Sequence, residues 1–159
     1  MQEKQPIKLK AKAGRIVGID YGLARLGLAI SDERKIIANS LKTFPAEKKA
    51  EATAQKLMSE LNRHAQENYY EIEEIVIGMP LMMSGKKGML ADEVNHFIIL
   101  LKDLISIPIV SWDERLSSVQ ADRSLREGNF SRKRRSKMVD GVAAIIILQS
   151  YLDSKGQQF

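Results

Sequence analysis

Apolar positions recur at two different periods along this chain, and the switches between them mark the elements. Residues 15–20 form a β-rich run, residues 25–31 alternate in part through Leu26, Leu28 and Ile30, and residues 35–41 make a weaker third strand. Short turns at Tyr21-Gly22 and Asp32-Glu33 predict that these three strands form an antiparallel meander. Residues 46–68 then change to Ala, Glu, Gln and Lys, with Leu57, Met58 and Leu61 at helical spacing, which predicts an amphipathic surface helix. Ile75-Val76-Ile77-Gly78 is a continuous apolar run, expected of a parallel strand buried on both faces and ended by Pro80. After a loop at 82–88 come a helix at 89–104, a short strand at 107–112 and a helix at 114–127 stopped by Gly128. A basic linker at 129–134 leads to a closing helix at 135–151, apolar almost all round from Val142 to Leu148.

The order β-β-β-α-β-α-β-α-α implies an α/β fold with a mixed five-stranded sheet between helical layers, three layers α/β/α in all. That is the layout of a ribonuclease H-like domain. The 159 residues, 44% of them hydrophobic, suit one domain at 14–153, with a flexible basic tail at 1–13 carrying Lys4, Lys8, Lys10 and Lys12 and a C-terminal tail at 154–159. Against 20 Asp and Glu stand 25 Lys and Arg, giving +5 and a pI near 9.4, a balance that favours a polyanionic partner; RNA, DNA and anionic lipid all fit. Cysteine is absent and histidine occurs twice, so a metal would be held by oxygen. The apolar run at 142–148 is far too short for a membrane span, and the opening residues lack a signal-peptide core, so the expected compartment is the cytoplasm.

Three acids stand at or beside the ends of apolar elements. Asp20 ends the run Ile16-Val17-Gly18-Ile19, which gives the rigid mounting that a metal ligand requires, and Gly22 admits a close approach by backbone or phosphate; the structural alternative is a turn-forming Asp before glycine. In Trp112-Asp113-Glu114-Arg115 successive side chains point to opposite faces, so one acid enters the site. Asp113 is expected to cap the following helix and Glu114 to face the metal. Asp140 lies inside the closing helix beside Gly141, Ala143 and Ala144, where close packing would make an unpaired carboxylate costly; the alternative is a surface pair with Lys137. Arg132, Lys133, Arg134, Arg135 and Lys137 form an acid-free stretch suited to phosphate, with a solvated basic loop as the alternative, and Arg25 and Arg115 are further cations beside proposed ligands. His64 and His96, both on predicted helices, need no catalytic role.

The segments Arg15-Ile-Val-Gly-Ile-Asp-Tyr-Gly-Leu-Ala-Arg-Leu-Gly-Leu-Ala-Ile-Ser-Asp32, Ile77-Gly-Met-Pro-Leu81, Asp113-Glu-Arg-Leu-Ser-Ser118 and Lys137-Met-Val-Asp-Gly-Val-Ala-Ala-Ile-Ile-Ile-Leu148 resemble, in that order, the YqgF family. Its members are small bacterial ribonuclease H-like proteins, assigned as Holliday junction resolvases and as nucleases that mature the 5′ end of precursor 16S ribosomal RNA. The resemblance implies an acidic triad at Asp20, Glu114 and Asp140 binding Mg²⁺ or Mn²⁺, and a nucleic-acid substrate. Precursor rRNA, with a pre-ribosomal particle as its setting, is favoured over branched DNA on family grounds alone. Both a monomer and a homodimer fit. In the loop after Pro80 the family usually has a polar Asn and Asp, where this chain has Met82 and Ser84. Two other readings compete: a nucleic-acid-binding module without catalysis, and an actin-like ATPase, for which the chain is short by a domain.

Overall fold

The computed structural model describes residues 11–82, 84–117 and 132–156, the last stretch by its backbone alone as far as Asp140. Five strands form one sheet in the order β3-β2-β1-β4-β5: β1 Ala13–Tyr21, β2 Arg25–Ser31, β3 Ala38–Pro45, β4 Tyr70–Met79 and β5 Ile109–Asp113. β1, β2 and β3 pair antiparallel, while β4 lies parallel to β1 on one side and to β5 on the other, which makes the sheet mixed. The helices are α1 Ala50–Glu67, α2 Met89–Leu104 and α3 Arg132–Gly156.

Alternation along the strands divides the core in two. Val17, Ile19, Ile75 and Ile77 point to the face covered by α1 and α2, where Leu57, Leu61, Val94, Phe97 and Leu101 complete a buried cluster. Ile16, Ala29 and Val76 point the other way, against Ala143, Ala144, Ile147 and Leu148 of α3. Both faces of the central strands are therefore dry, which is why β1 and β4 end in unbroken apolar runs. A Cβ on Gly18 would lie 2.7 Å from the Cβ of Leu148 and 3.3 Å from the carbonyl oxygen of Ala144, so the bare glycine lets α3 lie directly on β1.

The antiparallel meander, the doubly buried β4 and the helix at 89–104 match the sequence reading. β3 does not begin at Lys35 as expected. Residues 32–37 are instead taken up by a turn in which Asp32 Oδ1 accepts the N–H groups of Ile36 at 2.7 Å and Ile37 at 3.0 Å, with Lys35 at φ 59°. These backbone donors hold the Asp32 carboxyl below the usual carboxylate range. Because the folded value is depressed, the stabilisation is fully present above the ordinary pKa and is lost as pH falls through the folded one. Asp32→Ala is expected to lower stability by about 1 kcal/mol at neutral pH. The difference from the parent, followed by urea unfolding, should shrink below about pH 4.

β4 starts at Tyr70, well before the apolar run, because Tyr70 and Ile72 turn inward while Glu71 and Glu73 turn out. Of the helix expected at 114–127, the described residues show only its start, a 3₁₀ turn at Glu114–Leu116 that leads into the extended Ser117, whose Oγ donates to the carbonyl of Glu114 at 2.9 Å. Residues 118–131 lie outside the described residues, as do 1–10 and 157–159, and with them most of the basic tail and part of the linker. α3 begins at Arg132 rather than Arg135 and continues to Gly156. Arg132, Lys133 and Arg134 are thus helical, not linker, in keeping with a stretch of good helix formers that contains no Gly or Pro. Among the described residues, no helix is long and apolar enough to cross a membrane.

Candidate active site

Three parallel strands, β1, β4 and β5, end at the same edge of the sheet, and Asp20 and Glu114 lie there. Ile19 pairs with Ile77, and Gly78 pairs with Trp112, so Asp20 and Glu114 follow on either side of Gly78. Both carboxylates are buried, Asp20 with 4% and Glu114 with 3% of its surface exposed. A Cβ on Gly78 would lie 2.8 Å from Glu114 Oε1 and would also meet the end of the Ile147 side chain. The missing side chain of Gly78 therefore leaves the hollow that the Glu114 carboxylate enters. Gly78 was not singled out in the sequence; a glycine closing an apolar strand just before Pro80 is the one signal for it.

Strand alternation also separates Asp113 from Glu114. Trp112 packs with the cluster under α3, Asp113 turns away, and Glu114 returns to the α3 side. Asp113 Oδ1 accepts the backbone N–H of Arg115 at 2.9 Å, the capping role expected of it. Its two oxygens also take the Arg115 guanidinium at 2.7–3.1 Å. The side-chain hydrogen bond to Arg115 is the main cause holding the Asp113 carboxyl below its ordinary range. Arg115, expected to stand beside the phosphate, is held in an ion pair with Asp113.

Arg25 opens β2 as an exposed residue, and its carbonyl accepts the N–H of Gly22 at 2.9 Å. A Cβ on Gly22 would sit 2.6 Å from that oxygen. The close approach predicted at Gly22 is thus made by the chain's own backbone.

The helix α3 crosses this face of the sheet obliquely: Gly141 is nearest Ser40 on β3, Ala144 and Leu148 lie over Gly18 on β1, and Tyr151 and Lys155 reach Glu74 on β4. Asp140 is one turn before Ala144, and a Cβ on its neighbour Gly141 would lie 3.9 Å from Ser40 Oγ on β3. The Asp140 backbone thus belongs to the helix that covers the face Asp20 shares with Glu114. Arg132, Lys133, Arg134, Arg135 and Lys137 occupy the preceding turns of the same helix, and the side chains of 132–140 lie outside the described residues. Two buried carboxylates on one face of this edge, with a third acid on the covering helix, are hard-oxygen donors of the kind that could hold Mg²⁺ or Mn²⁺. Taken alone, the described residues contain no group of three metal-ligating side chains. His64, bonded to Tyr70 Oη at 2.9 Å, and His96, exposed on α2, are not part of this edge.

A protein of Protochlamydia amoebophila named "Putative pre-16S rRNA nuclease" is 60% identical over 92% of this chain and 97% of its own length. One of the same name from Geobacillus sp. is 38% identical over 89% and 99%. Among solved structures, T. thermophilus RuvC in complex with a Holliday junction substrate aligns with a TM-score of 0.52 at 15% identity, covering 90% of this chain and 96% of that one. The fowlpox virus Holliday junction resolvase aligns with a TM-score of 0.52 at 13% identity, over 88% and 99%. At those identities the likeness bears on the fold, which is ribonuclease H-like. The family model RuvX, described as Holliday junction resolvase, matches residues 14–154, and the chain belongs to this family of nucleases, the one also called YqgF.

Proposed function

We propose that this protein is a metal-dependent endonuclease that processes the 5′ end of precursor 16S ribosomal RNA in the cytoplasm. The observation that carries the reading is the pair of buried carboxylates, Asp20 and Glu114, set on either side of Gly78 at the edge where three parallel strands end. Acids are rarely buried unless paired or bound to a cation, and rigid strands hold Asp20 and Glu114 in place before any substrate arrives, as a metal site requires. Asp20, Glu114 and Asp140 would hold the ion. Bound there, Mg²⁺ or Mn²⁺ would polarise the scissile phosphate and activate the attacking water.

The remaining work falls to the chain's own cations. Arg132, Lys133, Arg134, Arg135 and Lys137 on the first turns of α3, with Arg25 at the start of β2, would fix the phosphate backbone without reading bases. RNA as substrate rests on the names of the relatives, and a pre-ribosomal particle would be its setting. Branched DNA is the second reading, favoured by the family description.

The test is cleavage by the purified protein of a precursor 16S 5′-end RNA and a four-way DNA junction in parallel, with Mg²⁺, Mn²⁺ or EDTA. Expected is RNA cleavage that leaves a 5′ phosphate and stops in EDTA. Symmetric nicking of the junction alone would move the protein to recombination. Salt-sensitive binding without cleavage of either would leave a binding module.

A further inference from the structure

The turn after β4 carries two cations that the site described above does not use. Leu81 and Lys87 form an isolated antiparallel bridge, Met82 N donates to the carbonyl of Lys86 at 3.0 Å, and Gly85 N donates to that of Met82 at 2.8 Å. Gly85 takes φ 83°, a conformation that side chains disfavour. The backbone at the tip is therefore set by its own hydrogen bonds. A Cβ on Gly85 would lie 3.5 Å from Nη1 of Arg115, so the turn lies beside the guanidinium that Asp113 grips, next to Glu114 in sequence. Lys86 and Lys87 are exposed, and among the described residues neither has an acidic partner. The next acids along the chain, Asp92 and Glu93, are already on α2.

Through Gly88 this turn leads into α2, which covers the sheet face opposite α3. The acid edge is thus flanked by lysines entering from the α2 side and by the basic first turns of the helix on the other. We propose that Lys86 and Lys87 form a phosphate-binding arm of the cleavage crevice, seating the nucleic-acid strand on the α2 side of Asp20 and Glu114. The inference rests on the reading of those two carboxylates as the cutting site. Two exposed ammonium groups act as point charges, so the arm grips the phosphodiester backbone and is indifferent to base sequence. It also supplies substrate contact from a loop in which Met82 and Ser84 stand where the family usually has polar side chains.

The test compares the full chain with Lys86→Gln/Lys87→Gln, measuring binding of single-stranded precursor RNA and of a four-way DNA junction across salt concentrations in EDTA. The slope of log affinity against log salt should flatten by about 0.7 per lysine on the single strand and about 0.9 on duplex arms. Lys86→Arg/Lys87→Arg should keep the parental slope. In cleavage assays the Gln variant should raise KM and leave kcat unchanged. Flattening on one substrate only would assign the arm to that substrate. Unchanged slopes on both would overturn the arm, even with Asp20→Asn still blocking cleavage. Full activity in Asp20→Asn would instead remove the cutting site, whatever the slopes.

Discussion

Replacing Asp20 by asparagine is expected to lower RNA cleavage by at least about a thousandfold while the protein stays folded. A metal's charge stabilisation is worth several kcal/mol, and each 1.4 kcal/mol is about tenfold in rate. Asparagine keeps the shape of Asp20 and can make the same local hydrogen bonds as a turn-forming Asp, so a purely structural Asp20 would tolerate the change. A ligand would not, because a neutral amide is a poor donor to a hard cation. Single-turnover cleavage and thermal unfolding together decide it: turnover within a few-fold of the parent would end the assignment.

Gly78→Ala should damage activity far more than stability. The added methyl would meet the flexible end of Ile147, which can move, and Glu114 Oε1 at 2.8 Å, which can move only by leaving its hollow. Overpacking of this kind costs about 1–3 kcal/mol, and the soft neighbours argue for the lower end. Displacing a reacting group by about 1 Å can cost a hundredfold in rate. Gly18→Ala provides the contrast, since its methyl would press on the Cβ of Leu148 and the backbone of Ala144, neither of which can swing aside. In that variant stability should fall with activity. Denaturant midpoints and cleavage rates measured on both proteins would separate the two effects, and a Gly78→Ala enzyme with parental turnover would count against Glu114.

The parts of this picture that were legible in the sequence are those that write a periodic signal. β1 and β4 end in runs apolar on both faces that lead to Asp20 and Gly78, and α2 has a helical periodicity that places it at Met89–Leu104. That Asp113 caps the turn while Glu114 is buried on the other side also follows from strand alternation. Other features carried no such signal. The first half of β4 mixes Glu with inward Tyr70 and Ile72, and β3 yields its expected start to a turn organised by one side-chain oxygen. Gly78 matters for the side chain it lacks, which becomes visible only when Glu114 and Ile147 are seen around it. The Asp113 grip on Arg115 goes with the 3₁₀ turn at Glu114–Leu116, a choice that propensity does not make.

The acids proposed to cut are spread along almost the whole chain, at positions 20, 114 and 140, and the last rides on the helix that closes the fold. During synthesis β1 must wait for β4 before its far edge is paired, and the Asp20 face stays open until α3 is made and laid over Gly18. A growing polypeptide therefore has RNA-attracting cations long before it has a complete set of ligands. Under the proposed mechanism the enzyme is silent while being made, and the docking of its final helix is the event that arms it.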